Sequence, residues 1–462
     1  MALAACAPRA TGPLGAKTPI VVIGAGLSGL VVARDLALAG RDVVVLEAQA
    51  RPGGRILTLR SPIADGAYVE CGATHVIGDP ELLDLLRAVG VAVVKPKPPR
   101  GLATVEYFGG KRVRLDPGTP PTERVVLDEA ERKLDFIGRI QRYFAMVKGV
   151  DPESPRSTFA KYDGASGLEL LASLGASPGY IQASALTFVP EKLEETSAAF
   201  LLQQVAGFFR DFDLGAAGGR IEGGSDRLPF ALARELGARV LFGAEVKRIE
   251  QLDGRARVSF VKDGQLQALD AVRVVSAIPY SVLRHIEIAP GLSAAKARVI
   301  AELPMASVAR IFAEVDRRFW SEQGEAGDVE TDEPLGAVRD ETKLQAGNVG
   351  VLGAYLSGDA ARRWTAIAKA ERQDAFLNHL ERIHPGTKTH FAHFLEHSWD
   401  EDPYARGAYA WMKKGQWSSL GPALTTPDGL LHFAGDHTSA RPGWMHGALS
   451  SAKRVVREIL AR

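Results

Sequence analysis

The chain has 462 residues, which at roughly 100–200 residues per domain is two or three domains' worth. Apolar residues make up 46% and charged residues 24%, enough to bury a large core, and this excludes wholesale disorder. Lys plus Arg (56) and Asp plus Glu (55) leave a formal net charge of +1 with no block of like charges, which argues against a nucleic-acid partner.

Residues 1–16 read as a flexible leader. Two cysteines, Cys6 and Cys71, cannot build a disulfide framework or a zinc cluster, and no other metal site is expected. Leu3-Ala4-Ala5-Cys6 resembles a bacterial lipobox, yet no basic and long apolar signal region precedes it. Two readings stay open: a trimmed, exported lipoprotein, or a bacterial cytoplasmic protein with an Ala-rich leader. The uncharged stretch Thr18 to Ala33 is shorter than the ~20 residues a membrane helix needs, so no transmembrane segment is expected.

Ile20-Val21-Val22-Ile23 predicts a buried parallel strand. Gly24-Ala25-Gly26-Leu27-Ser28-Gly29 matches G-x-G-x-x-G and precedes a helix predicted from Leu30 to Ala39. Val43 to Leu46 predicts a second strand ending on Glu47, 18 residues after Gly29. This order is the dinucleotide-binding fingerprint: Gly24 for the tight turn, Gly26 for close approach to a pyrophosphate, Gly29 for helix–strand packing, and Glu47 for ribose hydroxyls. An acid at Glu47 would repel the extra phosphate of NADP. The competing reading is a glycine-rich turn in an unrelated βαβ unit.

Glu47-Ala48-Gln49-Ala50-Arg51-Pro52-Gly53-Gly54-Arg55 resembles the E-A-x-x-R-x-G-G-R stretch of FAD-dependent amine oxidases. Glu70-Cys71-Gly72-Ala73-Thr74-His75 is similar to that family's E-x-G-A stretch. Asp79 and Pro80 open a scaffold helix through Val89. Gly223 to Leu228 opens another, followed by strand-like Val240 to Phe242, Val246 to Ile249 and Val274 to Pro279. Ala198 to Phe209 is an apolar, helical run, read as a buried helix over the substrate cavity rather than a membrane-touching one. Leu431 to Ser439 and then Gly443-Trp444-Met445-His446-Gly447-Ala448 resemble the family's F-A-G-E-x-T…G-[YW]-x-x-G-A ending, with Asp436 in place of the usual Glu.

The resemblance implies an α/β fold: a discontinuous Rossmann-type FAD-binding domain (17–95, 219–300 and 395–462) interleaved with an α+β substrate-binding domain (96–218 and 301–394). It implies non-covalent FAD, because Ala408 stands where mitochondrial monoamine oxidases carry the flavin-linked cysteine. Implied cofactor residues are Gly24, Gly26, Ser28, Gly29, Glu47, Ala48, Arg51, Gly53, Gly54, Arg55, Gly72, Ala73, Thr74, Val246, Trp399, Gly435, Asp436, Trp444, Met445 and Ala448.

The implied reaction is hydride transfer from the α-carbon of a primary amine or L-amino acid to the flavin. Imine hydrolysis then gives aldehyde or keto acid and ammonia, and oxygen is reduced to hydrogen peroxide. An aromatic cage attracts the amine and excludes water. Tyr409, which follows Gly407 of the W-x-x-x-x-Y-x-x-G segment starting at Trp399, and Trp444 fall at the two cage positions. Arg310 falls where many members carry a lysine that holds a water at the flavin, and it cannot deprotonate. That departure favours a dehydrogenase or desaturase with another acceptor as the alternative. His75 falls where L-amino acid oxidases carry a carboxylate-binding arginine. The His446-Gly447-Ala448 tail resembles polyamine oxidases, so the substrate signals conflict. A non-catalytic FAD-binding module is the reading from another class. A homodimer stays open.

Overall fold

The computed structural model describes residues 18–461 apart from 96, 98–99, 120–125, 155, 185–187 and 215–217. The leader with its lipobox-like Leu3–Cys6 stretch lies outside the described residues.

Ile20–Ile23 is buried end to end at the centre of a five-stranded parallel sheet. Continuous β-branched apolar sequence suits a strand covered on both faces. The order across this sheet is Leu431–Phe433, Arg273–Ser276, Ile20–Ile23, Val43–Glu47, Val240–Phe242. Val21 lies opposite Val274 on one side and Val44 on the other. The strands therefore come from three separate stretches of chain. The helix begins at Leu27, three residues before the expected start, and ends at Leu38. It packs against the C-terminal helix Met445–Leu460 and the helix Arg227–Leu236. Ser28 and Ser451 hydrogen-bond through their hydroxyls at 2.9 Å, joining the two ends of the sequence.

A mixed seven-stranded sheet stands apart, ordered Phe391–Ser398, Val308–Val315, Gly350–Ser357, Val338–Asp340, Glu325–Thr331, Ala103–Phe108, Lys111–Leu115. It has its own core around Trp320 and Phe376, under the helices Gly358–Thr365 and Lys369–Ile383. The strand Phe391–Ser398 crosses the expected boundary between residues 394 and 395. Its pairing with Val308–Val315 keeps it in this sheet through Ser398. The helices between Glu129 and Leu214 do not share that core. They pack instead with Val246, Trp417 and Phe433, so the expected substrate unit has two separate cores. The apolar run forms the helix Ala198–Leu214, buried along Ala198–Val205. No helix among the described residues is long and apolar enough to cross a membrane.

The turn after Ile23 leaves no room for a side chain at Gly29. A Cβ there would lie 2.0 Å from the Gly24 carbonyl oxygen. Gly29→Ala is expected to cost about 1–3 kcal/mol, read as a lowered thermal midpoint; an unchanged midpoint would show that the turn can widen.

A buried carboxylate ties the Thr58–Leu59 and Val69–Glu70 strands to the helix Arg227–Leu236. Glu70 accepts the Thr58 hydroxyl at 2.8 Å and the Ser225 amide at 2.7 Å. Burial pushes its carboxyl up from 4.5 to about 7. The folded state then holds a proton that the unfolded state has lost, so this group's contribution to stability declines as pH rises from about 4.5 through about 7. Glu70→Gln should flatten that part of the decline, measured as denaturant midpoints between about pH 5 and pH 8. A slope identical to the wild type would remove Glu70 as its source.

Candidate active site

A cavity of about 640 Å³ opens where the parallel strands end. The helix Leu27–Leu38 starts at Gly26 with no side-chain cap and no acid in its first turn. Its first N–H groups and the positive end of its dipole are thus left for an anion. A Cβ on Gly26 would meet no protein atom within 4 Å, so this backbone borders open cavity. Glu47 is buried at the end of the next strand and accepts the amides of Ala25 (2.6 Å) and Gln49 (2.9 Å). Burial raises its carboxyl despite those bonds. A carboxylate has about four lone-pair sites, so room remains for ribose hydroxyls.

Arg55 and Asp436 form an ion pair at 2.6 Å across 381 residues of sequence. Asp436 also accepts the Gly443 amide at 2.7 Å. Burial alone would raise the Asp436 carboxyl; Arg55, His437 and the Gly443 amide outweigh it and hold the group below its ordinary value. Cys71 lines the same stretch, and burial pushes its thiol up to about 12, which leaves it an unreactive thiol.

At the other end, Tyr409 and Trp444 both line the cavity. A Cβ on Gly443 would lie 2.7 Å from the Tyr409 ring, so glycine lets that ring lie against the loop. Arg441 sits 5.4 Å above the Trp444 ring and is paired with Asp211 of the helix Ala198–Leu214. Trp399 is buried, with its indole N–H on the Cys71 carbonyl at 3.0 Å. Arg310 comes from the strand Val308–Val315 and lies directly opposite Tyr355 on Gly350–Ser357. The guanidinium donates to Glu341 at 2.7 Å and lies 5.8 Å from the Tyr355 ring centre. Tyr355 in turn hydrogen-bonds Tyr409 through its side chain. Burial and the Arg220 charge hold His75 below its ordinary value, so it is neutral near pH 7.

The structure brings nearly all the expected site residues to this one cavity. Gly24, Gly26, Ser28, Glu47, Ala48, Gly53, Gly54, Arg55, Gly72, Ala73, Thr74 and Val246 line it, as do Trp399, Gly435, Asp436, Trp444, Met445 and Ala448. So do Tyr409, Arg310 and His75. Gly29 and Arg51 do not. Gly29 is packed against Gly24, and Arg51 donates to the carbonyls of Pro52 (3.3 Å) and Gly54 (3.1 Å), so it props the loop from behind. Tyr355 was not expected; only its register opposite Arg310 reveals it. Pro403, Tyr404 and Arg406 join the lining from the turn after Trp399. His390, His393 and His397 face Asp316, Glu314 and Asp402, and no metal-holding cluster occurs among the described residues.

The uncapped helix, the free space above Gly26 and the incompletely used Glu47 carboxylate fit a dinucleotide. The aromatic chamber beyond leaves space for a ring system and a small substrate. Residues 27–460 match the model of the flavin containing amine oxidoreductase family. The chain is 28% identical to an L-amino-acid oxidase of Daboia russelii, over 95% of this chain and 88% of that one. It is 27% identical to a flavin-containing amine oxidase of Oncorhynchus mykiss, over 96% and 85%. A putrescine oxidase structure superposes with a TM-score of 0.80 at 24% identity, covering 96% of this chain and 99% of that one, a likeness of fold. With its mixed α/β fold and its cavity for FAD, this chain belongs to the flavin-containing amine oxidoreductases.

Proposed function

We propose that the chain is an FAD-dependent oxidase of a primary amine or an L-amino acid. Overall, amine, oxygen and water give aldehyde or keto acid, ammonia and hydrogen peroxide. The observation that carries this reading is the one continuous cavity lined at one end by Gly24 and Gly26 and at the other by Tyr409 and Trp444. We assign residues 17–95, 219–300 and 395–462 to a Rossmann-type FAD-binding domain, and 96–218 and 301–394 to the substrate-binding part. The pairing of Phe391–Ser398 with Val308–Val315 supports drawing the last of these boundaries after Ser398 instead.

Bound here, the flavin supplies a two-electron acceptor for the C–H bond beside the amine nitrogen. The helix Leu27–Leu38 and the Gly53–Gly54 loop would hold its phosphates, and Glu47 its ribose. Asp436 and Arg55 would border its middle, and Trp444, Met445 and Ala448 its ring. Ala408 lines the cavity and offers no sulfur for attachment, which supports non-covalent binding. Tyr409 and Trp444 attract the ammonium ion by their π faces and exclude water. Desolvation between them favours the neutral amine, the form that can lose the C–H hydride. Tyr355 holds Tyr409 in place through its hydroxyl. Arg310 motivates a second reading, a dehydrogenase using another acceptor, because its planar guanidinium, held on Glu341, differs in shape from a lysine ammonium.

The test is anaerobic bleaching of the holoenzyme's flavin by L-amino acids, arylalkyl amines and polyamines, followed by admission of air and assay of peroxide. Bleaching with peroxide in equal amount is expected. No bleaching by any amine refutes the reading, and fast dye reduction without peroxide selects the dehydrogenase. Trp444→Ala should slow flavin reduction by about a hundredfold while FAD stays bound. Reduction at the wild-type rate would remove Trp444 from the chamber wall.

A further inference from the structure

A guanidinium carries five N–H donors in a planar fork. Arg310 donates to one protein acceptor among the described residues, Glu341, through Nη2. Its Nε is buried and has no partner. Its side chain is only 14% exposed, so bulk water has little access to the remaining donors. Another buried arginine shows what a purely structural role looks like here. Arg372 is 1% exposed and donates to Glu396, Glu401 and the carbonyls of Ile367 and Thr365. A buried cation left with unmatched donors is costly unless something else supplies the acceptors. Arg310 lines the cavity; Glu341, which holds its other side, does not.

The charge around it points the same way. The acids that line the cavity among the described residues are Glu47, Glu245 and Asp436. Glu47 takes the amides of Ala25 and Gln49, Glu245 is paired with Lys247, and Asp436 is paired with Arg55. Asp436, whose carboxylate holds the amide of Gly443 next to Trp444, is thus already matched by Arg55 and is not a free partner for a second ammonium group. A second arginine, Arg441, lies behind Trp444. Neutral His75 is a weak partner for an anion.

We infer that Arg310 is the anion anchor of the substrate chamber, receiving the planar carboxylate of an α-amino acid beside the Tyr355 ring. The chamber thereby selects amino acids with an apolar side chain and rejects diamines. This rests on the amine-oxidase reading above and narrows it. Bidentate or paired N–H contact to a carboxylate suits a guanidinium and not a lysine.

The test uses oxidised holoenzyme and two isosteric probes that cannot be oxidised, benzoate and uncharged benzamide, titrated by perturbation of the flavin's visible spectrum. Benzoate is expected to bind at least tenfold more tightly than benzamide. Arg310→Met should bring that ratio to about one, and Arg310→Lys should leave it in between. A wild-type ratio near one, or a benzoate affinity unchanged in Arg310→Met, overturns the anchor. The wild-type ratio decides alone if the methionine variant does not fold. Anaerobic reduction by L-phenylalanine and phenethylamine separates the two levels of claim. Reduction by phenylalanine well ahead of phenethylamine is expected. Reduction by phenethylamine alone defeats the anchor and leaves the oxidase, whereas reduction by no amine of the wider panel defeats both.

Discussion

A parallel strand must be covered on both faces and paired on both edges, and Ile20–Ile23 cannot meet that demand from its own neighbourhood. Val43–Glu47 supplies one edge through a short βα connection. The other edge comes from Arg273–Ser276, some 250 residues downstream, and beyond that from Leu431–Phe433. One face is closed by helices that include the C-terminal Met445–Leu460. Parallel strands all end on the same side, and ligands of open α/β sheets bind beyond those ends. The recruitment that buries Ile20–Ile23 therefore also carries Gly435, Asp436 and Trp444 to the mouth of the Gly24–Gly29 turn. The Arg55–Asp436 ion pair crosses that seam. Asp436 reaches both Arg55 and the Gly443 amide, so its carboxylate is already engaged within the protein.

What could be read in the sequence was local in its physics. The order strand, glycine turn, helix, strand, acid is written in one stretch of thirty residues or so, and its parts fall where steric demand puts them. The C-terminal segment was equally legible, because its glycines and aromatic residues sit close together. Tyr355 was invisible for the opposite reason. It meets the cavity because Gly350–Ser357 pairs with Val308–Val315 in one register, and a shift of one residue would turn it away. No spacing within either strand records that register. Arg51 shows a different limit. Its position in a cofactor motif says that it matters, but only the carbonyls of Pro52 and Gly54 around it show that it supports the loop rather than its ligand. The strand Phe391–Ser398 spans residue 394, and only its pairing with Val308–Val315 tells which sheet it joins. That the helices between Glu129 and Leu214 and the seven-stranded sheet belong to separate cores was hidden too. It depends on which apolar faces find each other across the chain.

The chamber's aromatic walls are backed by charge. Arg441 lies over Trp444 and Arg310 beside Tyr355, each tied to a carboxylate on its far side. Buried ion pairs contribute little net stability, because desolvation offsets their attraction, and apolar replacements are often as stable. Their effect here is geometric and electrostatic. Arg441 passes a glycine of the helix Ala198–Leu214, where a Cβ on Gly207 would collide with the guanidinium, and so fixes the loop that bears Trp444 against that helix. A cation behind a ring also draws on the same π density that would attract an ammonium ion in front of it. The packing around Trp444 and the buried charge beside it are thus the same few side chains, and a change at Arg441 would disturb both together.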